Sequence, residues 1–244
     1  MATLYNIFDI QLYDALTGRA IEDAGGTLYV AATGAYAKST LVNPDNDFAA
    51  LSNPITGSRG KFRFAIANTG LGLPAVDVFG MAPGGQAFRA LNIKMGEVTD
   101  IRIDTTNVVQ QLIVPFSIAD TTATTETDTG FDFPTGATIL PWPSVDVRTA
   151  DSTETIDVGL LSSEGGGDAN GFIAALSVGT AGQIDTTFAS TVTNGALLVE
   201  TATGAAAVIP ATYVIGATAK SLTYTLTAGS DTAAGYLKVP YVLR

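Results

Sequence analysis

Polar and apolar residues alternate with a period of two along almost the whole chain. The clearest run is 61–67, where Phe62, Phe64 and Ile66 fall on one face and Lys61, Arg63 and Ala65 on the other. Successive side chains of a strand point to opposite faces, so this is a strand with one buried face. The same reading predicts strands at 4–12, 27–31, 76–79, 87–93 and 98–103, with a turn at 14–19 leading to Ala20-Ile21 and a loop at 43–47. In the second half it predicts strands at 111–118, 137–140, 144–148, 155–161, 171–178, 196–200, 206–209, 221–227 and 235–243. Clusters of Gly, Asp, Ser and Pro separate the runs. Only 171–177 has a spacing that a helical turn would also tolerate. Short strands punctuated by turn residues predict an all-β chain of sandwiches or barrels.

Charge divides this pattern in two. Residues 1–104 carry ten acids and eight bases, a net −2; residues 105–244 carry thirteen acids and four bases, a net −9. Asp104-Thr105-Thr106-Asn107 follows a predicted strand at the same place, so two tandem sandwich domains are expected, 1–106 and 107–244, meeting near 104–110. Hydrophobic residues make up 46%, enough for a folded core, while charged residues are only 14%, about half the usual share. The polar surface therefore falls to Thr, Ser, Asn and Gln, which suit exposed sheet faces.

The total charge of −11 disfavours a phosphate backbone as partner, and no nucleic acid is expected. No cysteine and no histidine occur. That removes disulfides, thiolate nucleophiles, the usual general base and the commonest metal ligands. The first residues show neither a basic nor an apolar leader region, so no signal peptide is expected, and no apolar run reaches the ~20 residues of a membrane helix.

The motifs that remain read mainly as loops. Gly70-Leu71-Gly72-Leu73-Pro74-Ala75 fits a nucleotide fingerprint in letters, but Pro74 denies it the helix that such a loop must open. Asp128-Thr129-Gly130 matches an aspartic-protease triplet, yet only one is present where that chemistry needs two carboxylates; turn chemistry accounts for it. Ser58-Arg59-Gly60-Lys61 matches a serine–lysine dyad without its companion motifs, and reads as a turn into a strand. Asp45-Asn46-Asp47 and the loop 164–170 are oxygen-rich, which makes Glu164, Asp168 and Asn170 weak calcium candidates; no cofactor is expected. Trp142, the single Trp, stands between Pro141 and Pro143. It reads as a core plug or as an interface anchor.

The stretch LSNPITGSRGKFRFAI (51–66) resembles a cassette of tailed-bacteriophage virion appendage proteins. There an Asn-Pro loop with a threonine and a glycine precedes an alternating aromatic strand. The corresponding residues here are Asn53, Pro54, Thr56, Gly60, Phe62 and Phe64, with the threonine one place earlier. The stretches LIVPFSIAD (112–120), VDVRTADSTETIDVGLLSSEGGGDANGFI (145–173) and SLTYTLTAGSDTAAGYLKVPYVL (221–243) are similar to phage head-decoration, or cement, proteins. The resemblance implies an immunoglobulin-like or prealbumin-like first sandwich and a jelly-roll-like second. It further implies a capsid decoration protein made in the host cytoplasm, bound to the major capsid protein on the virion surface as a homo-oligomer, with a trimer as first expectation. Such a protein is no enzyme and meets no membrane.

Charge then suggests which domain docks. The nearly neutral first domain, with Arg59, Lys61 and Arg63, is expected on the shell, and the acidic second domain projects or self-associates. Two other classes compete. A tail or baseplate adhesin would present exposed aromatics to host glycans, with Tyr29, Tyr36, Tyr213, Tyr224, Tyr236 and Tyr241 as candidates. A glycan-degrading enzyme would need two carboxylates in one cleft, with Asp146 and Asp157 as the pair.

Overall fold

The computed structural model describes residues 4–22, 25–67, 75–94, 98–104, 109–121, 124–186, 195–201, 208–227 and 232–243. The chain is all-β and divides into two compact units, Met1–Asn107 and Val108–Arg244. Among the described residues, helix is confined to two 3-10 turns, Ile118–Asp120 and Ala196–Leu198, and no helix is long and apolar enough to cross a membrane. The second of these turns replaces the first half of the strand expected at 196–200. The glycine loop 70–74 and the junction 105–108 lie outside the described residues.

The first unit is a sandwich of two sheets. One has the order β4(Ala49–Leu51), β3(Leu41–Asn43), β6(Lys61–Ala67), β1(Tyr5–Asp14), β9(Val98–Ile103). The other has the order β5(Ile55–Thr56), β2(Thr27–Ala32), β7(Ala75–Met81), β8(Ala87–Lys94). β1 runs antiparallel to β6 and parallel to β9. The register of β1 and β6 follows from the alternation: Phe8 faces Phe64 and Ile10 faces Phe62, and all four are buried. The Phe8 and Phe64 rings stack at 5.2 Å. Leu28, Val30, Val76 and Val78 close the core from the other sheet. Burying side chains of this size stabilises the fold by roughly 1.5–3 kcal/mol each.

The second unit is also a sandwich. β21(Ala234–Val242) lies in the middle of one sheet. β10(Val109–Ser117) pairs along one side of it. Its other side is shared by β12(Thr138–Ile139) and β13(Ser144–Thr149), which in turn carry β19(Tyr213–Val214) and β16(Gly182–Asp185). The facing sheet has the order β11(Thr127–Phe133), β20(Lys220–Leu226), β14(Thr155–Leu160), β15(Ile173–Ser177). A small pair, β17(Val199–Thr201) and β18(Val208–Pro210), stands apart. Aromatic edges tie the two large sheets together: Phe116 of β10 meets Tyr224 of β20 at 6.2 Å, and Tyr241 of β21 meets Phe133 of β11 at 5.3 Å.

The strand expected at 171–178 is present as β15, paired to β14. Asp128-Thr129-Gly130 is not a turn between strands. It lies inside β11 at a register shift, where Gly130 has φ +75° and its N–H donates to Asp128 Oδ1 at 2.7 Å. The triplet keeps its turn chemistry while Thr129, Phe131 and Phe133 stay buried. The loop at 43–47 is the tip of a hairpin between β3 and β4.

Candidate functional site

The turn Ser58-Arg59-Gly60-Lys61 is a tight hairpin. Ser58 N–H donates to Lys61 O at 3.1 Å, and Lys61 N–H donates to Ser58 O at 2.9 Å. Arg59 has φ +51° and Gly60 φ +65°, the left-handed pair that matches the twist of adjoining strands. Only glycine fits the second position: a Cβ on Gly60 would lie 2.3 Å from Ile21 O. The serine–lysine motif is therefore backbone geometry. Lys61 and Arg63 follow on the outer face of β6, because Phe62 and Phe64 take the inner one.

Cross-strand register places Asp9 opposite Arg63 and Gln11 opposite Lys61. Arg63 Nε lies 3.5 Å from Asp9 Oδ1 and 3.5 Å from Asp45 Oδ1, so the expected docking base Arg63 is held by two carboxylates of its own unit. Arg59 and Lys61 are exposed and reach no carboxylate among the described residues. Between these groups lies an open groove of about 800 Å³, which Tyr13 and Asn43 also line. Three bases against two acids leave it one charge positive. The Asp9 and Asp45 partners were missed in the sequence, although their outward positions on β1 and in the 43–47 loop were legible.

In the second unit the bases are spent internally. Arg148 Nη2 lies 2.8 Å and Lys238 Nζ 3.2 Å from Asp146 Oδ2. Lys220 is buried and donates to Gly165 O at 2.7 Å. No described base of this unit is left for a distant partner. The carboxylates Asp128 and Asp132 stay exposed on β11.

The calcium candidates do not converge. Glu164 accepts through Oε2 from Ser221 N at 2.9 Å and through Oε1 from Ser221 Oγ at 3.0 Å. Asp168 Oδ1 accepts from the N–H of Asn170 at 3.3 Å, a turn of its own. Among the described residues, no group of three or more acidic side chains could hold a metal.

Asp146 and Asp157 do not form a cleft. Val145 and Val147 face the core from β13, and Ile156 and Val158 face it from β14, so the two aspartates point outward from opposite sheets. Asp157 Oδ1 accepts from Ala175 N at 2.6 Å. Half of the tyrosines considered for glycan contact are core residues instead: Tyr29, Tyr224 and Tyr241 are buried, while Tyr36, Tyr213 and Tyr236 are half-buried. Arg148 lies over the Tyr236 ring, 5.9 Å from its centroid. Trp142 is not a core plug. It is 59% exposed with φ +71°, while Pro141 and Pro143 on either side are buried.

No family model, curated protein or solved structure matches this chain.

Proposed function

We propose that the protein is a structural component of a tailed-phage virion, decorating and stabilising the capsid by binding the assembled shell as an oligomer, with a trimer as the first expectation. Its first sandwich is the immunoglobulin-like or prealbumin-like docking domain, and its second is a jelly-roll-like domain that projects or self-associates. The observation that carries the assignment of faces is the contrast in cations. Arg59 and Lys61 stand exposed beside an open groove, whereas Arg148, Lys220 and Lys238 are tied to groups within the second unit. Exposed charge that is not internally paired is available for a partner, and its contribution is screened beyond about 8 Å at physiological salt. The shell surface that fits is acidic and extended.

The test adds full-length protein to particles lacking it. Arg59→Asn with Lys61→Thr keeps the turn and the strand while removing both charges. Binding that falls several-fold in this variant and weakens with salt supports the reading. Unchanged binding assigns docking to another surface. Recovery of the protein only with tails, never with heads, refutes the capsid role.

A further inference from the structure

The two outer faces of the second sandwich differ in character. On the β20 sheet, Asp128, Asp132 and Asp157 point outward, because their neighbours Thr129, Phe131, Phe133, Ile156 and Val158 are buried. On the β21 sheet the outward positions carry two cations, Arg148 and Lys238, and two carboxylates, Asp146 and Asp185. Among the described residues that face is neutral, within a unit whose sequence carries −9.

It is also where the unit exposes its large apolar side chains. Val109 is 54% exposed, Trp142 59% and Val214 46%, and these are the exposed large hydrophobics of the second unit among the described residues. The register explains their grouping. Val109 pairs with Val242, Val242 with Thr138, and Thr138 with Val214, a single row across four strands. Tyr241 is buried, so its neighbour Val242 points away from the core, and the row has exposed ends at Val109 and Val214 with Thr138 buried between them. Trp142 emerges beside the row: Leu140 N–H donates to Pro240 O at 2.9 Å, and Ser144 pairs with Lys238, so the Pro141-Trp142-Pro143 bend spans the step between β12 and β13.

A bulky aromatic at φ +71° is a strained backbone state, which persists only where its surroundings hold it. Here two buried prolines hold it, and the result is an indole presented to solvent. An exposed tryptophan on a sheet face that also carries exposed aliphatic and internally paired charged groups has the composition of an interface.

We propose that this outer face of the β21 sheet, centred on Trp142, is the contact between copies of the same chain. The occupant follows from charge. Copies of a −11 chain repel through any acidic face. The β21 face is neutral among the described residues, with Arg148 and Lys238 both paired to its own Asp146, so an identical surface meets it without net repulsion. The inference needs no particle, and it stands or falls separately from shell docking.

The experiment is the solution mass of the purified full chain by light scattering, at low and high salt. The wild type is expected at a multiple of 25.0 kDa. Association should strengthen with salt, because screening removes repulsion between acidic copies while apolar contact remains. Trp142→Gly should give the monomer mass with a melting temperature at least equal to that of the wild type, since glycine relieves the left-handed strain. Val109→Ser with Val214→Ser, two surface changes without strain, should also give the monomer. A wild type that is monomeric at every salt overturns the proposal, as does an assembly that survives both variants.

Discussion

Asn53 pairs with Val30 as a strand would. Its Oδ1 accepts from Val30 N at 3.1 Å and its Nδ2 donates to Val30 O at 2.7 Å, with a second bond from Nδ2 to Ser39 O at 3.0 Å. Two residues on, β5 takes over with Ile55 opposite Leu28. The side-chain amide therefore extends the β2 edge pairing past the point where the backbone leaves it. Asn53→Ala removes three bonds and takes the Asn53 partner from Val30 N–H, while Val30 O keeps the N–H of Ser39 at 3.0 Å. Each such loss costs about 1 kcal/mol, so a fall of about 2–3 kcal/mol in denaturant-derived stability is expected.

The hairpin at 58–61 gives two changes of opposite sign. Gly60→Ala places a Cβ against Ile21 O at a φ only glycine tolerates, and should destabilise by about 2 kcal/mol or more. Arg59→Asn puts the residue best suited to the left-handed region where arginine now sits, and should stabilise by about 0.5–1 kcal/mol. Thermal unfolding of both variants reads the difference directly.

Asp77 is a buried carboxylate that organises two elements at once. Oδ1 accepts from Asn92 N at 2.8 Å and Thr33 Oγ1 at 3.2 Å, and Oδ2 accepts from Gly34 N at 3.1 Å. The register of β7 and β8 shifts at this residue, and Asn92 there has φ +58°. Asp77→Ala should cost about 3 kcal/mol, since bonds to a charged group are worth about 1.5–3 kcal/mol each and partly compensate through water. Hydrogen exchange should rise at Gly34 and Asn92 before it rises elsewhere in the unit.

Burial, and secondarily the nearby charge of Asp120, raises the Tyr224 hydroxyl above its ordinary value of 10.0. Above that pH the unfolded chain loses a proton that the native chain keeps. The native state is then disfavoured, so this contribution to stability is complete below pH 10.0 and declines as pH rises past it. Ultraviolet titration should show at least one tyrosine that ionises only on unfolding, and Tyr224→Phe should lower that number by one and reduce the alkaline decline.

Both oxygens of Glu164 are committed to Ser221. Chelation is therefore expected to leave the melting temperature unchanged. A fall on adding chelator, restored by calcium, would move the 164–170 loop from a turn to a metal site.

The long alternating strands were legible because one face of each must be buried. Positions 61–67 carry their register in their letters, and the all-β class follows from many such runs. The short pieces were not legible. Leu41–Asn43 and Ala49–Leu51 are too brief to show a period, and their pairing comes from the tight tip between them. β11 was hidden because a bulge breaks its alternation with turn residues. Trp142 carried two readings, and its exposure removes the core plug: proline neighbours indicate an irregular bend, but not that the prolines would be buried and the indole outside. Asn53 and Asp77 illustrate a further limit. Their partners at Val30, Gly34 and Asn92 are brought to them only by the sheets, so spacing along the chain carried no sign of them.

The place of β21 in its sheet sets an order of events during synthesis. It is the last strand of its unit, yet β10, β12 and β13 all take their hydrogen bonds from it. Until the ribosome has released Ala234–Val242, those three strands have no common partner, and the sheet cannot close. The first unit needs nothing beyond β9, so its ladder of β6, β1 and β9 is complete while more than half of the second unit is still untranslated. Contacts of such long sequence separation form slowly. A nascent chain interrupted before β21 therefore holds one finished sandwich followed by unpaired strand edges, the state most exposed to misassembly with its neighbours on the same message.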